Sequence, residues 1–140
     1  MIKKLFNLII LIFIFSNPAF AKGKYYKEGL NLFKNNKFEE AKFKFEKDIV
    51  FNPKSELSYL YLSKIFKNLE KKDLEEKNLN TVILLNPNNE EAIFNLAKLK
   101  LNASDYQKSK ELNDKLNSIC NQFCNESKRL KVEIENLLKK

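Results

Sequence analysis

The residues of this 140-residue chain whose types could do chemistry are few. They are two cysteines, Cys120 and Cys124, the adjacent carboxylates Glu39-Glu40, Glu75-Glu76 and Glu90-Glu91, and the neighbours Ser63-Lys64 and Ser127-Lys128. Histidine is absent, which removes the commonest general base and the commonest metal ligand. No serine or cysteine therefore has a histidine to activate it. Adjacent residues on a helix point about 100° apart, so the Ser-Lys neighbours are not natural dyads. The carboxylate pairs fall in the first turns of expected helices, where acidic side chains suit the positive end of the dipole. Only two glycines are present, Gly23 and Gly29, too few for a Gly-rich phosphate cradle. The chain is expected not to be an enzyme and to need no cofactor or metal.

Cys120 and Cys124 stand four residues apart. On one continuous helix that spacing puts the Cα atoms near ~6 Å, inside the disulfide range. In an exported protein an even pair reads first as a structural disulfide. Free or buried thiols and a redox or metal function stay open as alternatives. Two sulfurs without histidine leave a tetrahedral metal site half empty. The usual oxidoreductase pair is separated by two residues rather than three.

Export is expected from the first segment. Lys3 and Lys4 precede an apolar run from Leu5 to Phe15, interrupted only by Asn7, then Ser16-Asn17-Pro18, then Ala19-Phe20-Ala21. This is the order of a secretory signal peptide, with cleavage after Ala21. A spanning helix wants about 20 apolar residues, so a retained membrane anchor is the second reading. The expected location is the bacterial periplasm or outside the cell, with membrane attachment only if Met1 to Ala21 is retained. The formal charge is +8, from 26 basic and 18 acidic residues. The basic residues are mixed with acids along the whole chain, so a solvated surface is expected rather than a nucleic-acid partner.

The elements follow from a repeat. Asn52-Pro53 recurs as Asn86-Pro87, 34 residues later, and the next step lands on Cys120-Asn121. Gly29, Ser63 and Ala97 keep the same spacing, and all are small. Phe38-Glu39-Glu40-Ala41 returns after two periods as Tyr106-Gln107-Lys108-Ser109. Within each unit the apolar residues recur at three and four, the spacing of an amphipathic helix. Asp48 stands outside that pattern in the first copy. The unit is thus a helix hairpin of about 34 residues. Few Gly and Pro leave little material for a β sandwich or barrel.

The chain resembles the tetratricopeptide repeat family. That family's small first-helix residue falls on Gly29, Ser63 and Ala97, its turn aromatic on Phe38 and Tyr106, its second-helix alanine on Ala41 and Ser109, its bulky residue on Phe45 and Leu79, and its closing proline on Pro53 and Pro87. The middle copy departs at Lys72 and Glu75, and the last at Asn113 and Asn121. At Glu75 two registers are open, one with Glu75 inward and one in which a two-residue slip turns Leu74 inward. The resemblance implies an all-α fold, an α-solenoid of antiparallel helix hairpins wound as a right-handed superhelix. The expected organisation is a signal peptide at 1–21, hairpins at 22–55, 56–89 and 90–123, and a capping helix at 125–140. In that last segment Leu130, Ile134, Leu137 and Leu138 form an apolar stripe.

The resemblance also implies a concave groove lined by the first helices, which binds an extended peptide or a partner's helix. It places there Tyr26, Leu30, Phe33 and Lys34, then Tyr61, Lys64, Lys67 and Asn68, then Phe94, Asn95, Lys98 and Asn102. That mixture suits a segment with a carboxylate or acidic side chains. The family's known chaperone-tail clamp is not reproduced, because Tyr26, Leu30, Tyr61 and Glu91 stand where its lysines and asparagines would be. The expectation is an exported protein–protein interaction module or scaffold of the cell envelope. A membrane-tethered assembly factor and a Cys120/Cys124 redox protein are the alternatives.

Overall fold

The computed structural model describes residues 23–139. The expected signal peptide and its cleavage point after Ala21 lie outside them. Seven helices run in order among the described residues, and no strand occurs there: α1 (Lys24–Lys34), α2 (Phe38–Phe51), α3 (Glu56–Asn68), α4 (Lys72–Leu85), α5 (Glu90–Asn102), α6 (Tyr106–Ile119) and α7 (Cys124–Leu138). They form two compact units, divided after Pro53.

The first unit is the hairpin of α1 and α2. Gly29 is buried on α1 because Phe45 of α2 lies directly over it. A Cβ built on Gly29 would stand 2.9 Å from a Phe45 ring carbon. Phe45 is itself fully buried. Tyr26 adds its ring at 6.0 Å from that of Phe45. Phe33 and Phe38 meet edge to face across the turn, 5.4 Å between centroids, and Tyr25 stacks on Phe51 at the open end, 5.5 Å. Glu28 and Lys44 tie the two helices from the side at 2.6 Å. Asp48, outside the apolar spacing in the sequence, is nonetheless buried.

The second unit holds α3 to α7. Its core is built from Leu60 of α3, Leu79 and Val82 of α4, Ile93, Leu96 and Ala97 of α5, Leu112 and Leu116 of α6, and Leu130 and Ile134 of α7. The small residues again set the crossing of α5 and α6. Ser109 donates its hydroxyl to the Ala97 carbonyl at 2.9 Å, which two helices can do only where neither carries bulk. In the third copy Asn113 occupies the bulky slot, and its amide donates to the Ser127 carbonyl at 3.1 Å, joining α6 to α7. Leu138, at the end of the expected apolar stripe of α7, is exposed.

The three intrahairpin turns are built alike. Asn36, Glu70 and Ser104 have φ of 59°, 55° and 62°, and they too are 34 residues apart. In each turn that residue's N–H bonds back three residues: Asn36 to Phe33, Glu70 to Lys67 and Ser104 to Leu101. The next N–H bonds back five: Lys37 to Leu32, Lys71 to Phe66 and Asp105 to Lys100. This is the Schellman closure of a helix, with a left-handed residue just past its end. An identical turn fixes the rotational phase of the following helix. The register question at Glu75 is therefore resolved without a slip: Glu75 points in and is 5 % exposed, while Leu74 points out and is 39 % exposed.

Two outcomes follow. Gly29→Leu forces bulk into the α1–α2 crossing and should cost about 1–3 kcal/mol; a thermal melt that leaves the midpoint in place would refute the crossing. Glu70→Gly removes a Cβ from a left-handed position and should stabilise by about 1 kcal/mol, seen as a higher midpoint in the same measurement.

Candidate functional site

An open pocket of about 410 Å³ lies between α3, α4 and α5. Lys67 enters from the end of α3, Glu70 from the turn, Lys72 and Glu75 from the start of α4, and Asn95, Lys98, Leu99 and Asn102 from α5. The turn at Glu70 brings these groups together by ending α3 and starting α4 within three residues. Glu75 supplies the buried carboxyl. Burial raises its pKa above the ordinary glutamate value, against the pull of Lys67 and Lys72. Lys98 is held by Glu133 of α7 at 3.2 Å. Lys67 and Lys72 make no ion pair among the described residues, so the pocket keeps two uncommitted cations beside the Glu70 carboxylate at the turn and the buried Glu75 carboxyl.

The expected groove residues are distributed as follows. Tyr26, Leu30, Phe33 and Lys34 belong to the first unit, where Tyr26 and Phe33 pack on Phe45 and Phe38. Tyr61, Lys64, Lys67 and Asn68 are on α3, and Phe94, Asn95, Lys98 and Asn102 on α5. Four of these line the pocket: Lys67, Asn95, Lys98 and Asn102. Lys64 lies over the Tyr61 ring at 4.8 Å and pairs with Glu91 at 2.7 Å. Phe94 packs on Phe123, 5.5 Å between centroids. Glu70, Lys72 and Glu75 were not expected in the site. Their signal was present, since Glu75 occupies the slot that holds Ala41 and Ser109 in the other copies.

Cys120 and Cys124 are disulfide-bonded, with 5.2 Å between Cα atoms. The bond closes the turn between α6 and α7, where the third copy lacks its proline. The same turn is gripped from α5. The Glu90 carboxylate accepts the backbone N–H groups of Asn121, Gln122 and Phe123, each at 2.9 Å. These donors, Phe123 and Asn121 foremost, hold the Glu90 pKa below its ordinary value against a smaller opposing effect of burial. One period earlier Glu56 does a related job, accepting from the side-chain amides of Asn86 and Asn89. The first residues of α3 and α5 thus each hold the loop that ends their own hairpin. In sequence Glu90 has the character of a helix-start charge, and its spacing of 34 from Glu56 is the signal of the shared role.

Among the described residues no group of three or more His, Cys, Asp or Glu side chains could hold a metal ion, and no helix is long and apolar enough to cross a membrane.

No family model matches the chain, and no curated protein matches it. Solved structures do. The first TPR domain of Spaghetti (RPAP3) bound to the HSP90 peptide SRMEEVD is 18% identical, with a TM-score of 0.74 over 83% of this chain and 91% of that one. The TPR2B domain of yeast Sti1 in a pHsp70 complex is 15% identical, with a TM-score of 0.76 over 84% and 98%. The Yersinia enterocolitica type III secretion chaperone SycD in complex with a peptide of the translocator YopD is 16% identical, with a TM-score of 0.73 over 84% and 93%. The fold is that of a tetratricopeptide-repeat domain.

Glu90→Gln should lower the thermal midpoint at neutral pH, because an amide accepts the three N–H groups less strongly than a carboxylate. Glu90's folded pKa is depressed, so its contribution is present above the ordinary glutamate value. It fades as the pH falls through the lower folded one. Melts of both proteins from pH 7 to 3 should therefore converge at the acid end; a constant gap would refute the role.

Proposed function

We propose that the chain is an exported, non-catalytic interaction module of the bacterial cell envelope that takes an acidic segment of a partner protein on the α3–α5 face of its second unit. The observation that carries this reading is the pocket between α3, α4 and α5, with Lys67 and Lys72 free of ion pairs and Asn95 and Asn102 beside them. Uncommitted lysines attract a carboxylate, and asparagine side chains can both donate to and accept from an extended backbone. Two of the similar structures hold peptides, and one of those peptides ends in Glu-Glu-Val-Asp.

Export is supported by the order of residues in 1–21 and by the Cys120–Cys124 bond, since disulfides persist in oxidising compartments. The bond is structural in this reading. It joins α6 to α7, and neither cysteine lines the pocket.

The test places a photoreactive residue at Asn95 and crosslinks in the producing bacterium. A discrete adduct is expected, lost when Lys67→Glu and Lys72→Glu are combined and kept when Lys128→Glu is made on α7. An adduct indifferent to the pocket lysines would sink the site. Amino-terminal sequencing of the same sample is expected to begin at Lys22; a chain that begins at Met1 would favour the tethered reading.

A further inference from the structure

The pocket holds a carboxyl group where an anion-binding site should not have one. Glu75 is buried in the second hairpin at the slot filled by Ala41 and Ser109 elsewhere, and it lines the pocket. It makes no ion pair or hydrogen bond with another side chain among the described residues. The charged groups around it are Lys67 on α3, Glu70 in the turn, Lys72 on its own helix, and Lys98 on α5, the last held by Glu133 of α7. Its neighbour Glu76 is occupied with Lys100 at 2.6 Å. An ionised Glu75 would repel an incoming carboxylate at the point where the two lysines attract it. A neutral Glu75 would instead offer an O–H donor to that carboxylate.

We propose that this pocket takes up an acidic group together with one proton, Glu75 being the residue that accepts the proton from solvent and then donates its hydrogen bond to the bound carboxylate. The proposal rests on the reading that the pocket receives an acidic segment. No covalent bond changes: the proton comes from water or buffer and resides on a Glu75 oxygen while the ligand stays. Burial, which already disfavours the charged form, works in the same direction. The bound anion adds to it, so the proton and the ligand help each other in. Such a site is a pH-sensitive clasp, firm in acid and loose above neutrality.

The probe is a hexa-aspartate peptide, whose side chains stay ionised across the range used, with hexalysine as its opposite. Affinity is measured by fluorescence anisotropy from pH 7.5 to 5.5 for the full chain and for Glu75→Gln, which keeps the shape and cannot ionise. For the native chain, hexa-aspartate binding should tighten with falling pH, approaching about tenfold per pH unit where uptake is complete. Glu75→Gln should bind at pH 7.5 about as tightly as the native chain does at pH 5.5, and its profile should be nearly flat. Calorimetry of the native chain in two buffers of different ionisation heat should show uptake approaching one proton per peptide, and none for the variant. Parallel pH profiles in the two proteins overturn the proposal and leave the acidic-segment reading intact. Hexalysine binding that Glu75→Gln abolishes overturns it in favour of a cationic side chain seated on Glu75. If neither protein binds hexa-aspartate at any pH in low salt, the acidic-segment reading falls and the proposal with it.

Discussion

The closest approach of two helices decides what the rest of this chain can do. A helix hairpin of some 30 residues exposes too much of its apolar face to be stable unless its helices pack tightly and stack on neighbours. In the first hairpin the approach is permitted by the missing side chain of Gly29, filled by the Phe45 ring. In the third it is permitted by Ala97 and Ser109, small enough for a hydroxyl to reach a backbone carbonyl across the crossing. Where that contact forms, the turn must fold back within three residues. This explains why a left-handed residue recurs at Asn36, Glu70 and Ser104 although none of them is glycine. The crossing and the turn together fix which side chains face inward, and the pocket is a consequence of that phase.

The second unit ends in a way its first two turns do not prepare. Where a proline would stop α6, the chain uses a covalent bond and an anion. The Cys120–Cys124 bridge holds the ends of the turn, and the Glu90 carboxylate collects the three N–H groups between them. A proline would provide one missing donor and a fixed φ. This arrangement instead ties the turn to the start of α5, 31 to 33 residues back in sequence, and so seats α7 against α5 and α6. With α7 seated, Glu133 reaches Lys98. Of the three lysines that line the pocket, Lys98 is thereby paired, and Lys67 and Lys72 make no ion pair among the described residues.

Much of the fold was legible because a period of 34 leaves its mark on residue types with simple physical duties. Gly29, Ser63 and Ala97 are small, and Pro53 and Pro87 are stops. The site was legible only in part. Of the groove residues that the family pattern implied, Lys67, Asn95, Lys98 and Asn102 line the pocket. Which lysines are already spent on intramolecular partners was not legible, because Lys64–Glu91 and Lys98–Glu133 join residues 27 and 35 positions apart in different helices. Nor was the grip of Glu90 on a loop 31 to 33 residues ahead. A glutamate at the start of a helix looks the same in sequence whether it faces water or a row of amides. Asp48 was misplaced for the complementary reason: a charge on an apolar face looks like a break in the pattern, yet the helix keeps its phase and carries the residue inside.

Glu75 is the sharpest case of a local rule broken. Every constraint around it asks for a small, neutral residue: the helix crossing, the low exposure and the identical turn that leaves no freedom to slip. A buried carboxylate without a side-chain partner opposes folding whenever it is ionised. The cost grows as the pH rises past the ordinary glutamate value, because the folded protein holds the proton more tightly than the unfolded chain does. Residues that oppose stability in this manner tend to sit where a protein does its work. Here the residue lines the pocket together with Lys67 and Lys72. The same desolvation that makes Glu75 costly in the empty chain makes its neutral form available to a carboxylate ligand. A small residue at that position would ease folding but would leave the pocket without a buried carboxyl, able to attract an anion through its lysines and without this group to couple its release to pH.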